Sequence, residues 1–252
     1  MFRFLKEAVR DYGARLSSID GGSLRNAIPR EAFAIITIPG DNVEALWELV
    51  SDYQEMYRSE YKGIEHNINF TAEMTDMPAT LIPEEIQDDL INAIEGCQNG
   101  VISMLVDFPG TVESSTNLAI VKSSNEMIEI QILVRSSSES RKEAVCSSLE
   151  SIFSLAGAKV EYSDGYGGWQ PNIDSPILKI MQQAYLDLYG KKPEAKVMHA
   201  GLECGIIQES YPDMDMISIG PDLQHPHSPD ERVSIPSVAR TWDFIVTTLA
   251  RI

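Results

Sequence analysis

The chain has 252 residues, 43% hydrophobic and 23% charged, with 16 Gly and 13 Pro, a composition that excludes disordered, collagen-like and coiled-coil chains and leaves room for one large domain or two small ones. Its 20 Lys+Arg against 38 Asp+Glu give a formal net charge of −18. Such an acidic excess repels phosphate backbones and anionic headgroups, so neither nucleic acid nor a membrane surface is an expected partner.

In chain order, Phe2, Leu5, Val9 and Tyr12 predict an amphipathic first helix that Gly13 can end, followed by a short strand over 14–17. The alternation of charged and apolar side chains here is unlike a signal peptide, and no apolar run approaches the ~20 residues of a membrane span. Residues 32–39 read as a buried strand closed by Pro39-Gly40. Asp41-Asn42 then cap a long helix with Val43, Leu46, Leu49, Val50, Tyr53 and Met56 along one side. Alternation over 66–75 predicts another strand, and Pro83-Glu84-Glu85 opens a helix through Ile94, its acids favouring the positive helix end. A strand over 101–108, a hairpin of 117–121 with 127–135 around Ser123-Ser124-Asn125, a helix over 138–155 and a strand over 159–162 follow.

Residues 1–163 therefore read as two similar α-β-β-α-β units, with Asn26 and Asn117 each preceding a strand that leads into a long helix. A true duplication would pair two half-sheets edge to edge; chance alternation of helices and strands gives the same order. The segment 164–172, rich in Gly, breaks the pattern. Beyond it, Ser175-Pro176 caps a helix through Tyr189, 195–198 reads as a strand, Leu202 starts a helix, 216–219 is a strand and 236–249 a closing helix. This β-α-β-α order fits the edge of a doubly wound sheet, with too few strands to stand alone.

Cys97, Cys146 and Cys204 are the three cysteines, and without CxxC spacing they fit neither a disulfide framework nor a thiolate zinc site. A reducing compartment, the cytoplasm, is the expected location. Of the four histidines, His66, His199, His225 and His227, only His225 and His227 are close in sequence. They could bind a metal or be ordinary loop residues. Ser228-Pro229-Asp230-Glu231 has the spacing of a helix capping box, which would hold His227 in place. Glu84-Glu85 resembles the acid pair of a metallohydrolase but is explained by capping the helix after Pro83. Arg135, at the end of an apolar strand, has the fork to clamp a carboxylate or to pair with Glu139 or another surface acid. In His199-Ala200-Gly201-Leu202-Glu203-Cys204-Gly205, the glycines at a strand-to-helix turn suit an anionic ligand at exposed N–H groups, or tight packing.

This last segment, Met214-Asp215-Met216-Ile217-Ser218-Ile219-Gly220-Pro221 and His227-Ser228-Pro229-Asp230-Glu231-Arg232-Val233, in this order and ending in a helix with Trp242-Asp243-Phe244, strongly resemble the C-terminal signature of the bacterial aminoacyl-histidine (Xaa-His) dipeptidases, the peptidase D group. These belong to the di-zinc exopeptidase family that includes carnosinase and carboxypeptidase G. Arg25-Asn26-Ala27-Ile28-Pro29-Arg30-Glu31-Ala32, Ser115-Thr116-Asn117-Leu118, Ile132-Leu133-Val134-Arg135-Ser136 and Gly168-Trp169-Gln170-Pro171 are similar to the lid domain of the same family. The resemblance implies an α/β chain: an α+β lid and dimerisation domain over 1–165, and over 166–252 the C-terminal portion of a doubly wound catalytic domain.

It further implies hydrolysis of Xaa-His type dipeptides by a water bound between two zinc ions, with a glutamate as general base and a homodimer formed through the lid. By resemblance His227 is the last metal ligand, Asn117 and Arg135 hold the substrate carboxylate and the tetrahedral intermediate, and His199, Gly201, Leu202 and Glu203 belong to the loop at the substrate's C-terminal end. The family's His-x-Asp motif, its further bridging Asp, its catalytic Glu-Glu pair and its lid histidine are not in this sequence. The expectation is therefore the C-terminal half of a dipeptidase, lacking the general base and most metal ligands, without stable zinc binding or activity of its own. The alternative is a non-catalytic protein that keeps the lid for dimerisation or peptide binding.

Overall fold

The computed structural model describes residues 1–106, 108–163, 165, 169, 172, 174–196, 203–226 and 230–252. They form two compact units, one of Met1–Ile102, Ser115–Val134 and Lys142–Tyr162, the other of Ser103–Ser114, Arg135–Arg141 and Ser163–Ile252. The elements are α1 (Phe2–Tyr12), β1 (Arg15–Gly21), β2 (Ala32–Thr37), α2 (Val43–Glu60), α3 (Glu84–Gly96), β3 (Gly100–Met104), β4 (Val112–Ser123), β5 (Ile128–Ser136), α4 (Glu139–Leu155), α5 (Pro176–Tyr189), α6 (Glu203–Ser210), β6 (Leu223–Gln224), β7 (Arg232–Val233) and α7 (Ile235–Leu249). The architecture is mixed α/β with an antiparallel sheet.

The sheet runs β2-β1-β4-β3, with β5 also on β4. β1 meets β4 through the pairs Asp20↔Lys122 and Gly21↔Val121, so strands of the first predicted repeat join strands of the second at an edge. Alternation along β2 explains its two faces: Ala34 and Ile36 pack on the core, while Phe33 and Ile35 are exposed. The core of the first unit is made by helical faces. Phe4, Leu5 and Ala8 of α1, Leu46, Leu49, Val50 and Tyr53 of α2, Leu90, Ile91 and Ile94 of α3, and Val145, Leu149 and Phe153 of α4 are all buried in one cluster with Leu16 and Ile19 of β1. Each large aliphatic side chain so buried contributes about 1.5–3 kcal/mol. Gln87 of α3 is fully buried because its Oε1 accepts the Leu16 N–H at 2.7 Å, satisfying a β1 donor with a side chain in place of a neighbouring strand.

Three predicted strands are not strands. Over 66–75 the backbone is served by side chains of α2: Phe70 N–H donates to Gln54 Oε1 (3.2 Å), and the Arg58 guanidinium donates to Ile68 O (2.9 Å). The Phe70 ring meanwhile packs edge-on against Phe4 and Tyr57. Residues 159–162 lie along α4, where Tyr162 Oη donates to Cys146 O and Glu150 Oε2. Residues 216–219 have no regular secondary structure and no ladder; apolar alternation selects a strand only when another strand supplies the pairing. The predicted strand at 195–198 falls partly outside the described residues.

In the second unit α5 packs on α7, burying Met181, Ala184 and Phe244, with Tyr185 edge-on to Phe244 at 5.2 Å. Ser175 caps α5 by accepting the Leu178 N–H. Ile235, Trp242 and Leu249 of α7 remain exposed. The capping box at 228–231 is corrected: Ser228 and Pro229 lie outside the described residues, Asp230 and Glu231 are not helical, and the chain enters β7 instead. The closing helix begins at Ile235, one residue before the expected 236, with Ser234 at the N-cap and Pro236 in the first turn, and the residues before it pair with β6 through Leu223↔Val233 and Gln224↔Arg232.

Candidate functional site

Ile128, Ile130, Ile132 and Val134 of β5 pack on the core of the first unit, so alternation turns Glu129, Gln131, Leu133 and Arg135 to the other face. Gln131 confirms the parity by donating to Glu129 Oε1 at 2.7 Å. Around Arg135 the chain is tied down by neighbours. The hydroxyls of Ser114 and Ser136 are bonded at 2.8 Å, Ser138 N–H donates to Ser136 Oγ, and Ser137 N–H donates to Glu113 O. The Glu113 carboxylate is engaged by Ser103 Oγ at 2.7 Å and by Arg141 Nε at 3.5 Å. The Arg135 guanidinium has no hydrogen bond or ion pair with any of the described residues, Glu139 included. A permanently charged, half-buried fork on an anchored strand end is suited to a carboxylate.

Asn117 of β4 spends its side-chain amide within the first unit. Nδ2 donates to Ala27 O at 2.8 Å and to Arg25 O at 3.1 Å, and the turn so held is closed by Ala27 N–H donating to Leu24 O. The two Asn-containing segments that the sequence sets in parallel are therefore in contact. The exposed Asn26 lies between the two accepting carbonyls. Sequence reasoning missed this turn as a partner of Asn117; the only signal was the recurrence of Asn before a strand in both halves.

Glu203 is exposed in the first turn of α6, where an acid suits the positive helix end whatever else it does. Burial first, and then the Glu203 charge, push the Cys204 thiol up, and burial pushes up Cys97 as well, so neither is poised as a thiolate. Glu84 and Glu85 occupy the first turn of α3 behind the Pro83 N-cap, and Glu84 takes Arg15 at 3.2 Å, in accord with the capping reading. His199, Gly201, Leu202 and His227 lie outside the described residues. Among the described residues no three His, Cys, Asp or Glu side chains are grouped to hold a metal ion, and His66 and His225 are both exposed. The donor set of the described residues does not fit a zinc pair.

The sequence profile of Peptidase family M20/M25/M40 matches residues 17–251. The chain belongs to this family. It is 39% identical over 252 residues to the cytosol non-specific dipeptidase of Escherichia coli (strain K12), covering 100% of this chain and 52% of that protein. The crystal structure of the aminoacylhistidine dipeptidase from Vibrio alginolyticus is similar with a TM-score of 0.88 and 40% identity, over 100% of this chain and 51% of that one. This M20/M25/M40 chain thus spans about half the length of the relatives it matches, a proportion consistent with the C-terminal half that its motifs resemble. No helix among the described residues is long and apolar enough to cross a membrane.

Proposed function

We propose that this chain is the substrate-anchoring half of a zinc-dependent, cytosolic dipeptidase that hydrolyses Xaa-His type dipeptides, and that alone it is inactive. The observation that carries the reading is the end-to-end likeness to half of a named dipeptidase. In this reading the Arg135 fork binds the substrate's terminal carboxylate, and the loop with His199, Gly201, Leu202 and Glu203 lines the C-terminal side chain. In the complete enzyme a zinc pair would supply activation of the attacking water; by the resemblance His227 would be this chain's ligand to it, and the general base would come from the remaining half. The exposed Ile235, Trp242 and Leu249 of α7 give the remaining half an apolar surface to cover.

The test is carboxylate dependence. The chain joined to the remaining half of the E. coli relative should cleave an Xaa-His dipeptide and lose most of that rate on the C-terminal amide. Equal rates on acid and amide would overturn the reading. One observation favours a second reading, a non-catalytic lid protein that dimerises or binds peptides: β2 ends the sheet order and carries Phe33 and Ile35, 65% and 39% exposed. A homodimer formed there shows in the sedimentation mass. Dimerisation with no activity in the joined protein would select this second reading.

A further inference from the structure

We propose that Asn117 is a positioning residue, one that shapes substrate binding by fixing the 24–28 turn and not by touching substrate with its own amide; the claim rests on the dipeptidase reading above. The resemblance puts Asn117 at the substrate, but the geometry has already used its donors. A primary amide has two N–H groups, and both point at carbonyls of the same turn, Ala27 O at 2.8 Å and Arg25 O at 3.1 Å.

A donor that bridges the carbonyls of residues two apart restrains the peptide groups on both sides of the residue between them. That residue is Asn26, exposed at the centre of the turn. The side chain does the work that a strand neighbour would otherwise do. The β1–β4 ladder stops at Gly21↔Val121, and beyond it the chain stays on β4 by two devices. The first is the glycine itself: Gly22, at φ +74°, lies so close to β4 that an added Cβ would stand 1.8 Å from Ala119 O, while its N–H continues the pairing with the β2 side by donating to Glu31 O at 3.2 Å. Two residues further along β4, Asn117 takes over with its side chain. Val121, Ala119 and Asn117 thus hold, in turn, the strand end, the glycine and the turn, so a loop without a ladder keeps a strand's definition.

The experiment compares Asn117→Asp and Asn117→Ala with the unchanged chain, by amide hydrogen exchange without substrate and by steady-state kinetics in the protein joined to the remaining half of its relative. Asp keeps the shape and turns oxygens toward two carbonyl oxygens; Ala removes the contact. Both are expected to speed exchange of the Ala27 N–H by about tenfold, the factor expected on losing a hydrogen-bonded restraint, while the β1–β2 amides of Ile19 and Ala34 keep their protection. In the joined protein kcat/KM should fall by a similar factor, more for Asp than for Ala. Unchanged exchange at residue 27 overturns the proposal even if activity falls, since a direct substrate contact would lower kcat/KM without loosening the free turn. Faster exchange with unchanged kcat/KM overturns it equally. If the joined protein with Asn117 intact cleaves no dipeptide, it is the dipeptidase reading that fails, and exchange still decides whether Asn117 sets the turn.

Discussion

Replacing Gly22 by Ala tests how closely the loop after β1 is laid on β4. Its φ of +74° lies where an L side chain costs about 1–2 kcal/mol. Space adds a second cost. The new Cβ would meet Ala119 O at 1.8 Å and Ala119 C at 2.9 Å, both backbone atoms in the middle of a strand. Carbon and carbonyl oxygen approach to about 3.3 Å, so the two backbones must part by about 1.5 Å. That separation strains the Gly21↔Val121 pairing and the Asn117 bonds to Arg25 and Ala27, each hydrogen bond contributing about 1 kcal/mol. The expected loss is about 3–5 kcal/mol in urea unfolding.

Gly63→Ala is the control. Gly63 has φ +87° and nothing within 4 Å of an added Cβ, so it should lose only the backbone share, about 1–2 kcal/mol. The difference between the two variants isolates the close approach. Equal losses in both would refute the contact between loop and strand on which the role of Asn117 depends.

Arg135→Ala in the joined protein should lower kcat/KM about 100-fold, the value of a paired charge-assisted contact, with the thermal midpoint shifted by less than about 2 °C, because the guanidinium has no partner among the described residues; an unchanged kcat/KM would remove it from the site. Gln87→Leu leaves the Leu16 N–H buried without its 2.7 Å acceptor and should cost about 1–3 kcal/mol in urea unfolding, whereas an unaltered midpoint would mean that this strand donor is not confined. Burial chiefly pushes the Tyr57 phenol up to about 12 from 10.0. The unfolded chain therefore releases that proton first, so its contribution is full below pH 10.0, is lost as pH rises to about 12, and the fall should be shallower in Tyr57→Phe. Identical slopes for the two proteins in alkaline unfolding would contradict that assignment.

Helices were the most legible part of this sequence, because their signals are local. Gly13 ends α1 at φ +70°, Ser175 caps α5 through its own hydroxyl, and the stripe from Leu46 to Tyr53 is the buried face of α2. The turn at Ser124, closed by its N–H donating to Met127 O, was readable for the same reason. Strands depend on partners far away in sequence. Phe70 alternates as a strand residue, yet Gln54 and Arg58 answer the backbone around it before any ladder can. The β6–β7 pair, two residues on each side, leaves no periodic trace at all. Arg135 was legible as a strand-end cation, but only the structure shows Glu113 committed elsewhere. For Asn117 the residue was visible and its partners were not, since they lie ninety positions away and are main-chain atoms.

The most direct measurement is histidine release from an Xaa-His dipeptide with zinc present, by the chain alone and by the chain joined to the remaining half of its E. coli relative. The chain alone should give no release above the buffer rate, and the joined protein sustained turnover. Turnover by the 252 residues alone, or none by the joined protein, would contradict the proposed function.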